Sequence, residues 1–165
     1  MTGCGAKEQE KLEVVYTHPE VEEKKKTETQ DVKLNFGERA VAENYTLELH
    51  QAVVQEDSYE GQVYIHLVYE CTNTSSEDLT INYGNFEGYA DDYLADNSSY
   101  IEMEATKSLK MLSGTIATGK KIKGFVAYRV PEDFQVVECR YTDKDGNHVT
   151  YVIQRDQFVE SDRVN

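Results

Sequence analysis

Apolar residues recur at every second position over several short segments of this chain. The clearest segment holds Val63, Ile65, Leu67, Tyr69 and Cys71 on one face of an extended backbone, with Tyr64, His66, Val68 and Glu70 on the other. A period of two predicts a pleated strand with one apolar face. That face needs a partner sheet, because a lone hairpin is marginal in water. The same alternation sets Tyr45, Leu47, Leu49 and Val53 against Thr46, Glu48 and His50, and it recurs at Leu79, Ile81 and Tyr83. Ile122, Gly124, Val126, Tyr128 and Val130 form a further such face. Pro131 stops that strand, since it lacks the N–H a ladder needs.

Residues 134–141 predict the next strand, with a bulge where Val136 and Val137 break the alternation. Turn formers from Asp143 to Asn147 follow, and Val149, Tyr151 and Ile153 close the set. Residues 85–99 show no clear period, 105–112 read as a short helix or an edge strand, and 114–119 read as a loop. Short strands at close spacing, with no long helix between them, predict an all-β chain. The expected architecture is an immunoglobulin-like antiparallel β-sandwich of about seven to eight strands. The folded body begins at Leu34 and runs over 34–165. Ahead of it, Glu22-Glu23-Lys24-Lys25-Lys26 lies in a mixed-charge stretch without an apolar stripe. Such a stretch buries too little surface to offset its ordering entropy, so 1–33 is expected to be a flexible, disordered tether.

The chain carries a net charge of −14, and its first 33 residues hold only 6 Lys and 8 acidic residues. The body is therefore the acidic part. It would be repelled by nucleic acid and by anionic headgroups, so no nucleic-acid partner is expected. No apolar run approaches the roughly 18 residues that span a bilayer.

Thr2-Gly3-Cys4 at the N-terminus resembles the end of a bacterial lipoprotein signal, with Met1 where the usual Leu would stand. The resemblance implies a signal peptide already removed and a lipid on Cys4, which would become the first residue of the mature protein. It implies a protein anchored at the extracellular face of the bacterial cell membrane, with the tether holding the body away from the surface.

Two blocks together carry a second resemblance. One is the strand Val63 to Cys71 ending in Thr72-Asn73-Thr74-Ser75. The other spans 112–131 and reads Gly114-x-Ile116-x-x-Gly119-Lys120-x-x-x-Gly124, then an apolar strand, then Val130-Pro131. The pair resembles an immunoglobulin-like domain of unknown function found in surface lipoproteins of Gram-positive bacteria. That domain's sandwich is shared with a mycobacterial secreted immunoprotective antigen. The likeness covers roughly residues 34–154 and departs at Thr118, where that family often has Pro. It implies a fold and an address and supplies no catalytic residues.

The candidate chemistry is sparse. Gly114-x4-Gly119-Lys120 nearly spells a phosphate loop, but Lys121 stands where Ser or Thr should hold Mg2+, and a strand pattern follows instead of a helix. Asp143-x-Asp145-Gly146-Asn147 has half the look of a calcium loop, yet its Gly and its last ligand are misplaced, and Asp-Gly between strands is a hairpin signal. Asp91, Asp92, Asp96 and Asn97 are the better candidate cation ligands, because Ca2+ takes about six to eight oxygens. Tyr89 and Tyr93 beside them are the candidate interaction surface.

Cys71 and Cys139 both point inward on separate strands; a disulfide worth about 4 kcal/mol and two buried free thiols are equally consistent with that. His18, His50, His66 and His148 are scattered over polar faces and the tail and are expected to be solvated. No protease, redox or hydrolase motif is present. The expectation is a monomeric, non-enzymatic, lipid-anchored extracellular module without a cofactor. It would contact a protein or ligand, with Ca2+ binding by the Asp91 to Asn97 loop as the alternative.

Overall fold

The computed structural model describes residues 12–14 and 29–164. Cys4, His18 and most of the expected tether lie outside those residues. Within them the chain folds as a β-sandwich with a small third sheet. Its strands are β1 (Leu12–Val14), β2 (Asp31–Asn35), β3 (Arg39–Ala42), β4 (Tyr45–Gln55) and β5 (Gln62–Asn73). Next come β6 (Leu79–Asn82), β7 (Phe86–Ala90), β8 (Tyr93–Leu94), β9 (Ser113–Ile116) and β10 (Lys121–Pro131). The last are β11 (Val136–Thr142), β12 (His148–Gln154) and β13 (Val159–Ser161).

One layer runs β1-β3-β4-β5-β10, with β13 alongside β4; the other runs β2-β12-β11-β7-β8, and β6 pairs with β9 apart from both. The number of strands exceeds the expected seven or eight because several short edge strands carry no readable period. Two edge pairings, β2 on β12 and β13 on β4, are parallel. The rest are antiparallel, as expected.

The organising strand is β5. Ile65, Leu67 and Cys71 have no accessible surface, and Tyr69 has 1%. Across the interior, Val137, Cys139, Val149, Tyr151 and Ile153 from β11 and β12 complete the same core. Each large side chain buried there contributes roughly 1.5–3 kcal/mol of transfer free energy.

Tyrosine takes the place of the absent tryptophan. Tyr69 packs on Phe86 at 5.0 Å and on Tyr151 at 5.8 Å between ring centroids, and Tyr45 meets Tyr141 edge-on at 5.7 Å. Buried hydroxyls need partners. The Tyr45 hydroxyl donates to Asp143 Oδ2 at 2.8 Å, and that of Tyr151 faces the Leu47 carbonyl at 3.1 Å and the Glu38 carbonyl. Burial, then the Asp143 charge, push the Tyr45 hydroxyl far above its ordinary pKa.

Several local expectations are corrected. The β11 ladder is regular through Val136 and Val137; the bulge lies in β4, between Leu49 and Gln51. It flips the parity of that strand, so Ala52 and Val54 join the core and Val53 turns to the opposite face. Residues 85–99 contain β7, a central strand of its sheet. Residues 113–116 form β9, so only the end of 114–119 is a turn. Residues 105–112 form neither helix nor strand beyond one short 3-10 turn at Glu104–Thr106. The tether expectation fails at two places. Leu12–Val14 pairs with β3, and β2 begins at Asp31. An open sheet edge takes a strand through backbone bonds alone, with no apolar stripe required.

Candidate functional site

The alternation predicts a polar outer face for the β4-β5-β10 sheet, and the middle of that face is dry. A strap over 95–112 crosses it. Val68, Phe125 and Ala127 are buried beneath the strap, with Leu109 and Met111 packed on them. The strap is held by backbone bonds at both ends. Arg129 N–H donates to the Asp96 carbonyl at 2.8 Å, and Leu112 N–H donates to the Phe125 carbonyl at 2.9 Å. Its middle is tied to the C-terminal segment, where Ala105 N–H donates to Ser161 Oγ at 2.9 Å.

His66 lies under this strap with no accessible surface, which corrects the expectation that it is solvated. Its ring stacks on Phe125 at 4.2 Å, nearly parallel at 10°. Nε2 has no partner of hydrogen-bonding geometry, although the Ile101 backbone is near enough to favour the protonated ring. Burial outweighs that and pushes the imidazole down to about 4. His66 is therefore neutral at physiological pH.

At one end of the strap the face opens into a cleft of about 500 Å3, walled by Tyr59, Tyr64, Ile101, Arg129 and Arg163. Tyr59 is 74% exposed. Arg129 is paired with Asp96 at 2.8 Å. Next to it, the β7–β8 hairpin presents Tyr93 and Leu94, which are 79% and 66% exposed. Both lie on β8, and exposed large apolar side chains are candidates for a contact surface.

The four expected cation ligands are spread over this hairpin and the start of the strap. Asp91 accepts from the backbone N–H of Gln135 and of Val136, the latter at 3.0 Å. Asp96 accepts from Ser98 N–H at 2.8 Å and pairs with Arg129. Those bonds hold its carboxyl below the usual carboxylate range. Asp92 is exposed at the turn, with φ of 75°, and Asn97 is exposed at the start of the strap. Asp91, Asp92 and Asp96 do not converge as three ligands. Among the described residues the group that does is Glu48, His50 and Glu70 on the far end of the same sheet face. Glu48 and His50 are two apart on one strand, which the sequence shows; Glu70 joins them only through the strand register.

Tyr89 is half-buried and bound into the sheet rather than free. Its hydroxyl donates to Glu87 Oε1 at 3.1 Å, and the Arg140 guanidinium lies 5.7 Å from its ring centroid. Tyr93, by contrast, is an exposed aromatic.

Cys71 and Cys139 are free thiols, both buried, so the bridge between them is not made. Cys71 lies at the Tyr45 and Tyr141 end of the core. Cys139 sits 3.7 Å from the Tyr128 hydroxyl, deep under Tyr69 and Tyr128. Burial pushes the Cys71 thiol up to about 12 and the Cys139 thiol up to about 11.

Solved structures are similar to this chain at low sequence identity. One is described as "a putative lipoprotein (ycdA)" from Bacillus subtilis. It is 17% identical with a TM-score of 0.53, and the match covers 68% of this chain and 37% of that one. This chain thus spans well under half the length of that protein. The yjhA protein of Bacillus subtilis is 14% identical, with 76% of this chain and 98% of that one covered and a TM-score of 0.48. An uncharacterized beta-sandwich protein from Clostridium difficile is 18% identical, with 79% and 99% covered and a TM-score of 0.46. No curated protein matches. Among the described residues no helix is long and apolar enough to cross a membrane. Residues 19–143 match a family described as a domain of unknown function, DUF5067, and the chain belongs to that family.

Proposed function

We propose that this protein is a non-enzymatic extracellular binding module held at the outer face of a bacterial membrane by a lipid on Cys4. The carrying observation is the exposed hairpin of Tyr93 and Leu94 beside the Tyr59, Tyr64 and Arg129 cleft. It offers aromatic area and charge on rigid strands, the elements that dominate protein contacts. Anchoring is supported by the Thr2-Gly3-Cys4 context and by the description given to the ycdA protein, which shares the fold. The buried state of Cys71, Cys139 and His66 supports a binding role, because none of these groups can reach a substrate. The module works as a monomer and needs no cofactor.

Two measurements test this. The full precursor, made in a Gram-positive host fed a clickable fatty acid, should carry label, and Cys4→Ala should lose both label and membrane retention. An unlabelled wild type would refute the anchor. Tyr93→Ser with Leu94→Ser should leave thermal stability unchanged and abolish binding of the purified domain to isolated cell envelopes. Undiminished binding would refute the contact surface.

A further inference from the structure

On the outer face, at the end opposite the cleft, Glu48 of β4 stands directly across from Glu70 of β5. Like charges directly opposite on an antiparallel pair are unfavourable. The β4 bulge falls immediately beyond Leu49 and contains His50. It also falls where the outer neighbour of β4 changes: β3 pairs as far as Glu48, and β13 begins at Val53. Bulges re-aim side chains, and here the imidazole is turned between the two carboxylates. His50 Nε2 is 3.7 Å from Glu48 Oε1 and 3.3 Å from Glu70 Oε1.

We propose that Glu48, His50 and Glu70 form a three-ligand site for a divalent transition metal of the zinc class. One imidazole nitrogen and two carboxylate oxygens lie within 4.8 Å of one another. Around a tetrahedral zinc, bonds of about 2.0–2.2 Å set ligand atoms roughly 3.3–3.5 Å apart, so a small closure completes the triangle. The donor set selects the metal. Carboxylates alone suit Ca2+ and Mg2+, whereas an imidazole among them favours zinc and its neighbours. A neutral imidazole with two carboxylates carries two negative charges, which a divalent ion neutralises.

Neighbouring cations set the orientation. Lys121 Nζ lies 3.7 Å from Glu70 Oε2, leaving Oε1 toward His50. Arg39 Nε lies 3.6 Å from Glu48 Oε1 on a side chain that is 51% exposed and has room to swing aside. The three ligand side chains are 33%, 32% and 22% exposed, which leaves a fourth coordination position open to solvent. Such a position takes water or a ligand group from a partner.

Calorimetric titration of the metal-stripped folded chain with Zn2+ tests the proposal, in a Cys4→Ser, His18→Ala background that removes the tail's own soft ligands. The expected result is one zinc per chain, with Co2+ giving the intense visible absorption of a tetrahedral site. His50→Gln and Glu70→Gln should each weaken binding roughly tenfold or more, on the scale of losing even a supporting group, while the metal-free melting temperature holds. Ca2+ should not compete at equal concentration. Absence of zinc binding, full binding in His50→Gln, or equal competition by Ca2+ would each overturn the assignment. In those cases the cluster is an ion-paired histidine and nothing more.

Discussion

His66 Nδ1 lies 2.8 Å from the Thr106 hydroxyl, and both residues are buried. That bond ties the strap to the middle strand of the sheet, and it is made where a charged ring would find no water. The folded pKa of about 4 lies below the ordinary 6.5, so the unfolded chain binds this proton more readily than the folded one. Stability from this group is full above pH 6.5 and is lost as the pH falls toward 4. The span is on the order of 3 kcal/mol. Urea unfolding at stepped pH should show that loss. His66→Gln should be less stable at neutral pH and should have a flatter profile over the same window. An identical slope in the variant would rule out His66 as its source.

The closeness of the strap to β10 gives a second expectation. A Cβ built on Gly124 would stand 2.7 Å from the Lys110 carbonyl oxygen and 2.9 Å from Leu112 Cα. These are backbone atoms held by the 3.0 Å bond from Phe125 N–H to Lys110 and the 2.9 Å bond from Leu112 N–H to Phe125. They cannot move without breaking the strap's attachment. Gly124→Ala should therefore cost about 1–3 kcal/mol, the usual penalty of overpacking, measured as a lower urea midpoint. It should also speed hydrogen exchange at Phe125 and Leu112.

Asp91 caps the start of β11. Its carboxylate gathers the Gln135 and Val136 N–H groups at the start of β11, from a left-handed backbone with φ of 48°. Asp91→Ala should destabilise by about 1–2 kcal/mol, the worth of hydrogen bonds to a charged group. Asp91→Asn, which keeps one acceptor oxygen, should lose less. Added Ca2+ should not raise the melting temperature of wild type. A rise that Asp91→Ala abolishes would restore the loop as a cation site.

What the sequence showed and what it hid have the same physical origin. Alternation is legible only when one face is apolar and the other polar, so β5, β10, β11 and β12 could be read directly. β7 escaped because its inward residues include Gly88 and Ala90. A Cβ on Gly88 would come within 2.9 Å of the Tyr128 ring, so the tyrosine demands a residue that carries no apolar signal. The strap escapes because residues 95–112 carry no period of their own and the polar members of β5 read as a wet side. The hint was present in the unbroken runs Leu67 to Tyr69 and Phe125 to Tyr128, since strands buried on both faces read as continuous apolar stretches. All their members are buried. Glu70's place beside Glu48 and His50 depends on a register that a bulge shifts by one residue, and no single strand encodes that.

The two core cysteines give the last expectation. They are 68 residues apart in sequence and face one interior from opposite sheets, so a bridge between them would close a long loop and stabilise by about 4 kcal/mol. The structure keeps them reduced and inert by two means. Tyrosines pack beside each thiol, Tyr45 and Tyr141 near Cys71 and Tyr69 and Tyr128 near Cys139. Their pKa values of about 12 and about 11 also leave almost none of the reactive thiolate at neutral pH. In a Cys4→Ser background, thiol labelling of the native protein should proceed only as fast as the domain unfolds, and both sites should label at once in urea. Adding a reductant should leave the urea midpoint where it was. A midpoint that drops with reductant would mean that the bridge forms in solution and that the tyrosine packing around Cys71 and Cys139 rearranges to allow it.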